Sequence, residues 1–330
     1  MRKRGLLAGA LILVVALSSG CVASKEAREG ADGLRERLGT PSWASSVEVE
    51  SGRDGQGNDY VQTTVTLKDS ATPAEVSSFV VALPEESEQA GLGDGISLRE
   101  YLSFVSPSAA RLDVEWRSSI VADEVTRAVT EWFGVADVLG SSVAASARTD
   151  GGASYVVSLG EGPSSAVHDT YDSLASLAQP DTAWQVAGTS GALSLDLSGS
   201  VLPTADQLAM WDALLAALDK LPTDLPPSVL SLHFLEHTVA DVAFLTPDDV
   251  TAESMTIEAY GDRLWPVFKP QLEAMSALPE AWSYFADWAP VSSPTSRSSV
   301  ISLLSDQEPT DNGDETTRWS RAAKHYVNGL

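Results

Sequence analysis

From residue 43 onward the chain repeats a grammar: two alternating, strand-like runs, a turn between them, then an amphipathic helix entered through or near a proline. In the first copy Val47 and Val49, then Tyr60, Gln62, Thr64 and Thr66, alternate with neighbours of opposite character, the period of two that marks strands. The Gly-rich segment 51–58 joins them. Thr72-Pro73-Ala74-Glu75 then reads as a helix start, with Thr72 the cap, Pro73 the first helical residue and Glu75 the reciprocal partner. Val76, Phe79, Val80 and Leu83 give that helix an apolar face.

The same order recurs. Residues 143–148 and 155–159 flank an Asp150-Gly151-Gly152 turn and lead into a helix to about Leu177. Residues 184–187 and 193–197 flank Gly188-Thr189-Ser190-Gly191 and lead into a helix opened by Pro203-Thr204-Ala205-Asp206-Gln207. Residues 229–235 and 239–245 precede helical material over 252–275. Residues 282–288 and 300–304 precede a helix over 315–327. A less regular copy spans strands 101–104 and 112–116 and a helix over 121–133. Pro41, Pro180 and Pro279 each stand shortly before a Trp (Trp43, Trp184, Trp282) that opens a first strand.

Six strand-strand-helix units predict an α+β fold. Packed in pairs, they contain the βαββαβ order of ferredoxin-like units, with antiparallel sheets and helices on one face. That gives three paired domains, 43–138, 139–224 and 225–330.

The formal charge of -25 repels phosphate backbones and anionic headgroups, which argues against nucleic-acid partners. With one cysteine, no disulfide can form within the chain. Stability must come from burial, which 43% hydrophobic content and this length allow.

That cysteine is Cys21. Arg2, Lys3 and Arg4 form a basic start, 6–17 is an unbroken run of Gly, Ala and aliphatic residues, and Ser18-Ser19-Gly20 precedes Cys21. The apolar run is too short to span a bilayer, which needs about 20 residues, and has the layout of a secretory signal. It resembles the type II signal of bacterial lipoproteins, although the aliphatic Leu17 stands one position earlier than in the usual lipobox. The resemblance covers residues 1–21 only. It implies cleavage between Gly20 and Cys21, a diacylglyceryl thioether on the Cys21 thiol, and an extracytoplasmic protein held to the cell membrane by its lipid. Stable anchoring takes about two acyl chains. Removing residues 1–20 takes away three positive charges and no acid, so the charge moves from -25 to -28. Residues 21–42 then read as a lipidated polar tether with an end-to-end distance of roughly 25 Å as a coil, containing a short helix near Leu34 and Leu38.

One motif bears on catalysis. His233-Phe234-Leu235-Glu236-His237 has the spacing of an inverted zinc-protease signature, in which a helix sets both histidines on one metal and the Glu acts as base. Pro226-Pro227 upstream and the alternation of Leu230, Leu232 and Phe234 point instead to a strand, where the histidines stand about 13 Å apart. His233, Glu236 and His237 are therefore weak metal candidates, and no catalytic residue or cofactor is assigned. His168 and His325 fall on expected helices without a recognisable partner. Asp311-Asn312-Gly313-Asp314-Glu315 lacks EF-hand spacing and reads as a turn capping the last helix.

The leading expectation is a non-enzymatic envelope lipoprotein that binds an envelope protein or cell-wall ligand. The alternatives are a solute-binding lipoprotein of a transporter and, last, an extracellular metal-dependent hydrolase.

Overall fold

The structure, a computed structural model, describes residues 23–92, 101–115, 120–149, 152–175, 177, 182–309 and 313–330. A first helix, α1 (Lys25–Leu38), precedes the six units. The first unit is β1 (Ala44–Arg53), β2 (Asp59–Leu67) and α2 (Pro73–Gln89). The second is β3 (Tyr101–Val105), β4 (Arg111–Glu115) and α3 (Ala122–Leu139), and the third is β5 (Val143–Arg148), β6 (Ala153–Glu161) and α4 (Ala166–Ala175). Then come β7 (Ala183–Ser190), β8 (Leu193–Gly199) and α5 (Ala205–Leu218); β9 (Pro227–Phe234), β10 (Thr238–Thr246) and α6 (Ile257–Ser276); and β11 (Trp282–Pro290), β12 (Ser298–Leu304) and α7 (Glu315–Val327). Trp116, Asp150, Gly151 and Pro180 lie outside the described residues. The helix starts form as their sequences dictate: Thr72 with Glu75, and Thr204 with Gln207, each make a reciprocal capping box.

All twelve strands share one sheet, in chain order from β1 to β12. The expected antiparallel pairing is thus corrected to a mixed one, and the units, whose joining the sequence leaves open, share a single sheet. Each hairpin is antiparallel, and strands joined by a helix are parallel neighbours, as in β2–β3 and β10–β11. The order is also not that of ferredoxin-like units, because a split βαβ has another strand between the two that its helix connects. Here the connected strands are adjacent, so each unit adds its hairpin at the growing edge.

The helices do pack on one face, as expected. Successive helices touch, α2 with α3, α5 with α6 and α6 with α7. Each hairpin reverses the strand direction while the chain keeps stepping the same way across the sheet. Crossovers on one face must then alternate in hand: α2, α4 and α6 share one, and α3 and α5 have the other. One set departs from the strong right-handed preference of βαβ connections.

The pairing registers define the two faces. Val65, Phe104, Leu112, Ala145, Tyr155, Trp184, Gly199, Phe234, Thr238 and Trp282 lie side by side across ten strands, and the nonglycine members are all buried under the helices. Trp43 meets Phe79 edge-on at 5.6 Å and Trp184 stacks on Tyr155 at 4.3 Å, so the tryptophans that open first strands are packing residues. One position over, the row Ser46, Thr66, Val105, Arg111, Ala144, Val156, Gln185, Ser198, His233, Val239, Ser283 and Leu304 crosses all twelve strands on the helix-free face.

Residues 25–38 overturn the expected coil-like tether. They form α1, whose Ala27, Gly30, Ala31 and Leu34 are buried. Small residues supply most of that face, so the segment reads as polar, yet they let the helix lie close. A Cβ on Gly30 would stand 2.1 Å from Leu92 Cδ2.

Candidate functional site

His233 belongs to β9, while Leu235, Glu236 and His237 form the exposed turn before β10. The helical face that would bring His233 and His237 together is not formed. Among the described residues no group of three or more His, Cys, Asp or Glu side chains is placed to hold a metal. Gly20 and Cys21 lie outside the described residues.

The sheet does bring His233 to partners that the sequence alone does not pair with it. Ser198, its register partner on β8, has Oγ 2.6 Å from His233 Nδ1. One row along, Asp196 of β8, Ser231 of β9 and Asp241 of β10 stand side by side. Gln185 donates to Asp196 Oδ2 at 2.8 Å, and Arg297 donates to Asp241 Oδ2 at 3.2 Å. Oδ1 of both aspartates is buried and has no hydrogen-bond partner. Burial first, and then the nearby Asp287 carboxylate, raise the Asp241 pKa above the ordinary value, while Arg297 and His233 pull it down. Asp287 in turn accepts from Ser299 Oγ at 2.8 Å.

This patch has a Ser–His pair but not the surroundings of a nucleophile. β8 and β9 are interior strands, so their N–H groups are committed to the ladder and none is free to meet a developing oxyanion. Chemically it is a surface of hydroxyls, carboxylates and one guanidinium, suited to hydrogen bonding. Strand alternation could have placed Ser198, Ser231, His233 and Asp241 on outward positions. Only the strand order and register make them neighbours.

A second feature lies at the far end of the sheet. A cleft of about 340 Å³ is lined by Met255, Trp288 and Trp319 and rimmed by Glu253, Asp314 and Glu315. Asp314 caps α7 by accepting from Thr317 N–H at 2.8 Å, which holds its pKa below the ordinary value, as the capping turn predicts. Asp311 and Asn312 lie outside the described residues. His168 of α4 does have partners: Asp212 at 2.9 Å and Asp172 at 3.7 Å. His325 is exposed on α7.

Among the described residues, the fold and site define a mixed α/β protein with one twelve-stranded sheet, layered by helices on one face and free of them on the other. Comparison of the chain with protein-family models, with curated proteins and with solved structures finds no match in any of the three.

Proposed function

We propose that this is an extracytoplasmic lipoprotein, lipidated on Cys21 after cleavage behind Gly20, that acts as a non-enzymatic binding module of the cell envelope. The observation that carries it is the joining of two features. A basic start, an apolar run and Cys21 occupy residues 1–21, and among the described residues behind them no helix covers the second face of a broad sheet. Small polar residues dominate that face, among them Ser46, Thr64, Thr66, Ser146, Ser198 and Ser231, with Val156 and Phe285 scattered among them. Broad, hydroxyl-rich surfaces suit an envelope protein or a cell-wall glycan better than a compact solute, and acidity disfavours nucleic acid. A transporter's solute-binding lipoprotein would need two lobes around a cleft, whereas the described strands share one sheet. The metal-dependent hydrolase is the least supported, since His233 sits in a strand.

The test is to express the full chain in a bacterial host and compare it with Cys21→Ser by intact mass and membrane fractionation. A lipid-sized mass increment and membrane association, both lost in the variant, support the anchor. An unmodified soluble product removes it. Photo-crosslinkers at Val156 and Phe285 should then capture envelope material that the same probe on exposed Val138 of α3 does not; equal capture at all three sites would count against the open face.

A further inference from the structure

The described residues begin two positions behind Cys21. Ala23 is buried, and Ser24 is fixed through three groups. Its hydroxyl caps α1 by accepting from Ala27 N–H at 3.1 Å, its own N–H donates to Asp59 Oδ1 at 3.2 Å, and its carbonyl accepts from Arg28 N–H at 3.2 Å. Asp59 is itself gripped by Arg53 at 2.9 Å. Farther along, the Arg35 guanidinium donates to the Val49 carbonyl of β1, and Arg37 binds Glu86 of α2 at 2.8 Å. This helix is clamped to the first unit from its cap to its last turn.

Arg53 ends β1 and Asp59 begins β2, so Ser24 lies at the turn end of the first hairpin. Three residue steps separate Cys21 from Ser24, and a chain that short spans at most about 11 Å. We propose that the lipid on Cys21 does not suspend a loosely tethered body. It holds the β1–β2 turn, residues 54–58, and the start of α1 directly against the lipid headgroups, so that the protein stands on the membrane in a fixed orientation. This inference rests on Cys21 being lipidated. Successive hairpin turns leave the sheet at alternate ends. The β11–β12 loop, 291–297, lies ten strand spacings from the β1–β2 turn, roughly 50 Å along the sheet. The contact surface carries Lys25, Arg28 and Arg53 beside Glu26, Glu29, Asp54 and Asp59, which leaves no net positive charge to attract anionic lipid. Proximity comes from the short covalent link, and the orientation is independent of headgroup charge.

The mature lipoprotein has no free thiol once Cys21 is lipidated, so a single added cysteine can be labelled. Gln56→Cys in the first turn and Thr295→Cys in the last loop, both at exposed positions, would each carry a fluorophore on the full lipidated protein. The proteins are reconstituted into phosphatidylcholine vesicles containing headgroup spin-labelled lipid, with and without phosphatidylglycerol. Quenching several-fold stronger at 56 than at 295, unchanged by the anionic lipid, is the expected result. Inserting about 20 Gly-Ser residues between Val22 and Ala23, a coil of roughly 25 Å, should abolish the excess at 56 without touching the fold. Equal quenching at both sites, or an excess that survives the insertion, overturns the fixed orientation while leaving the anchor in place. Failure of the protein to partition into vesicles at all overturns the lipidation reading, and this inference with it.

Discussion

At the scale of single residues, the two faces of the sheet make opposite demands on polar groups. Under the helices, Gln271 of α6 donates to the Leu214 carbonyl at 3.0 Å and accepts from the Tyr284 hydroxyl at 2.6 Å, all three buried. Gln271→Leu removes no bulk but strands the Tyr284 hydroxyl, which costs about 1–3 kcal/mol when buried alone, and takes from the Leu214 carbonyl its bond to α6, worth about 0.5–1.5 kcal/mol, while that carbonyl keeps its bond within α5. We expect a loss of about 2–4 kcal/mol in urea unfolding, part of it recovered by adding Tyr284→Phe. No recovery would mean that Gln271 acts through packing. On the open face, Asp241 has a folded pKa raised mainly by burial. The folded protein thus holds that proton more tightly than the unfolded chain. Ionisation costs stability above the folded pKa, and the cost disappears as the pH falls below the unfolded value near 3.9. Asp241→Asn should accordingly raise the urea midpoint at about pH 7, with the difference fading by about pH 3. A variant less stable at neutral pH would show that the ion pair with Arg297 dominates.

At the scale of elements, a long open sheet has two edges that invite further strands. The last helix closes one of them. Thr316, Ser320 and Lys324 are spaced by four along α7 and therefore share a face. Thr316 Oγ1 donates to the Ser299 carbonyl at 2.7 Å, Ser302 N–H donates to Ser320 Oγ at 2.9 Å, and Lys324 Nζ donates to the Ser305 carbonyl at 2.8 Å. This stripe occupies backbone groups of β12, and of Ser305 just behind it, that a neighbouring strand would otherwise take. Thr316→Val with Ser320→Ala should release them, and light scattering should show concentration-dependent self-association absent from the unaltered protein and from exposed Arg318→Ala. A double variant as monodisperse as the parent would show that the edge is blocked by something else. The stripe illustrates what sequence can and cannot convey. The helix over 315–327 and its cap were legible because capping and the 3.6-residue period are local. So were the six hairpins, whose alternation needs no knowledge of partners. What lay beyond reach was non-local. Register alone sets Ser198 against His233, and nothing in a strand's own residues says whether the next unit joins its edge or begins another sheet. Of α1 only the short helix near Leu34 and Leu38 is legible, for a different reason: Ala27, Gly30 and Ala31 bury through closeness rather than bulk, and hydropathy hardly marks them.

At the scale of the molecule, the strand order makes the protein nearly one-dimensional, each strand pairing only with its neighbours in sequence. In such arrays stability is close to a sum of unit and nearest-neighbour terms. Division into the pairs 43–138, 139–224 and 225–330 is then a proposal about where those terms are weakest. The two joints differ physically. Near 138 the cut falls in the last turn of α3 and separates β4 from β5. Near 225 it parts β8 from β9, but also α5 from α6, and severs the Gln271–Leu214 hydrogen bond at buried Leu225. The fragment 225–330 keeps β9–β12, α6 and the sealed β12 edge, and carries the aromatic cluster of Trp265, Phe268 and Trp319. It should fold with a cooperative melt, yet gain less from Gln271, whose partner carbonyl has gone. Gln271→Leu, costly in the full chain, should therefore cost less in the fragment, where it strands the Tyr284 hydroxyl but breaks no bond to α5. Equal penalties in both would show that the α5–α6 joint carries no coupling. A fragment without a cooperative transition would show that the pairs are not folding units and that the twelve strands stand or fall as one sheet.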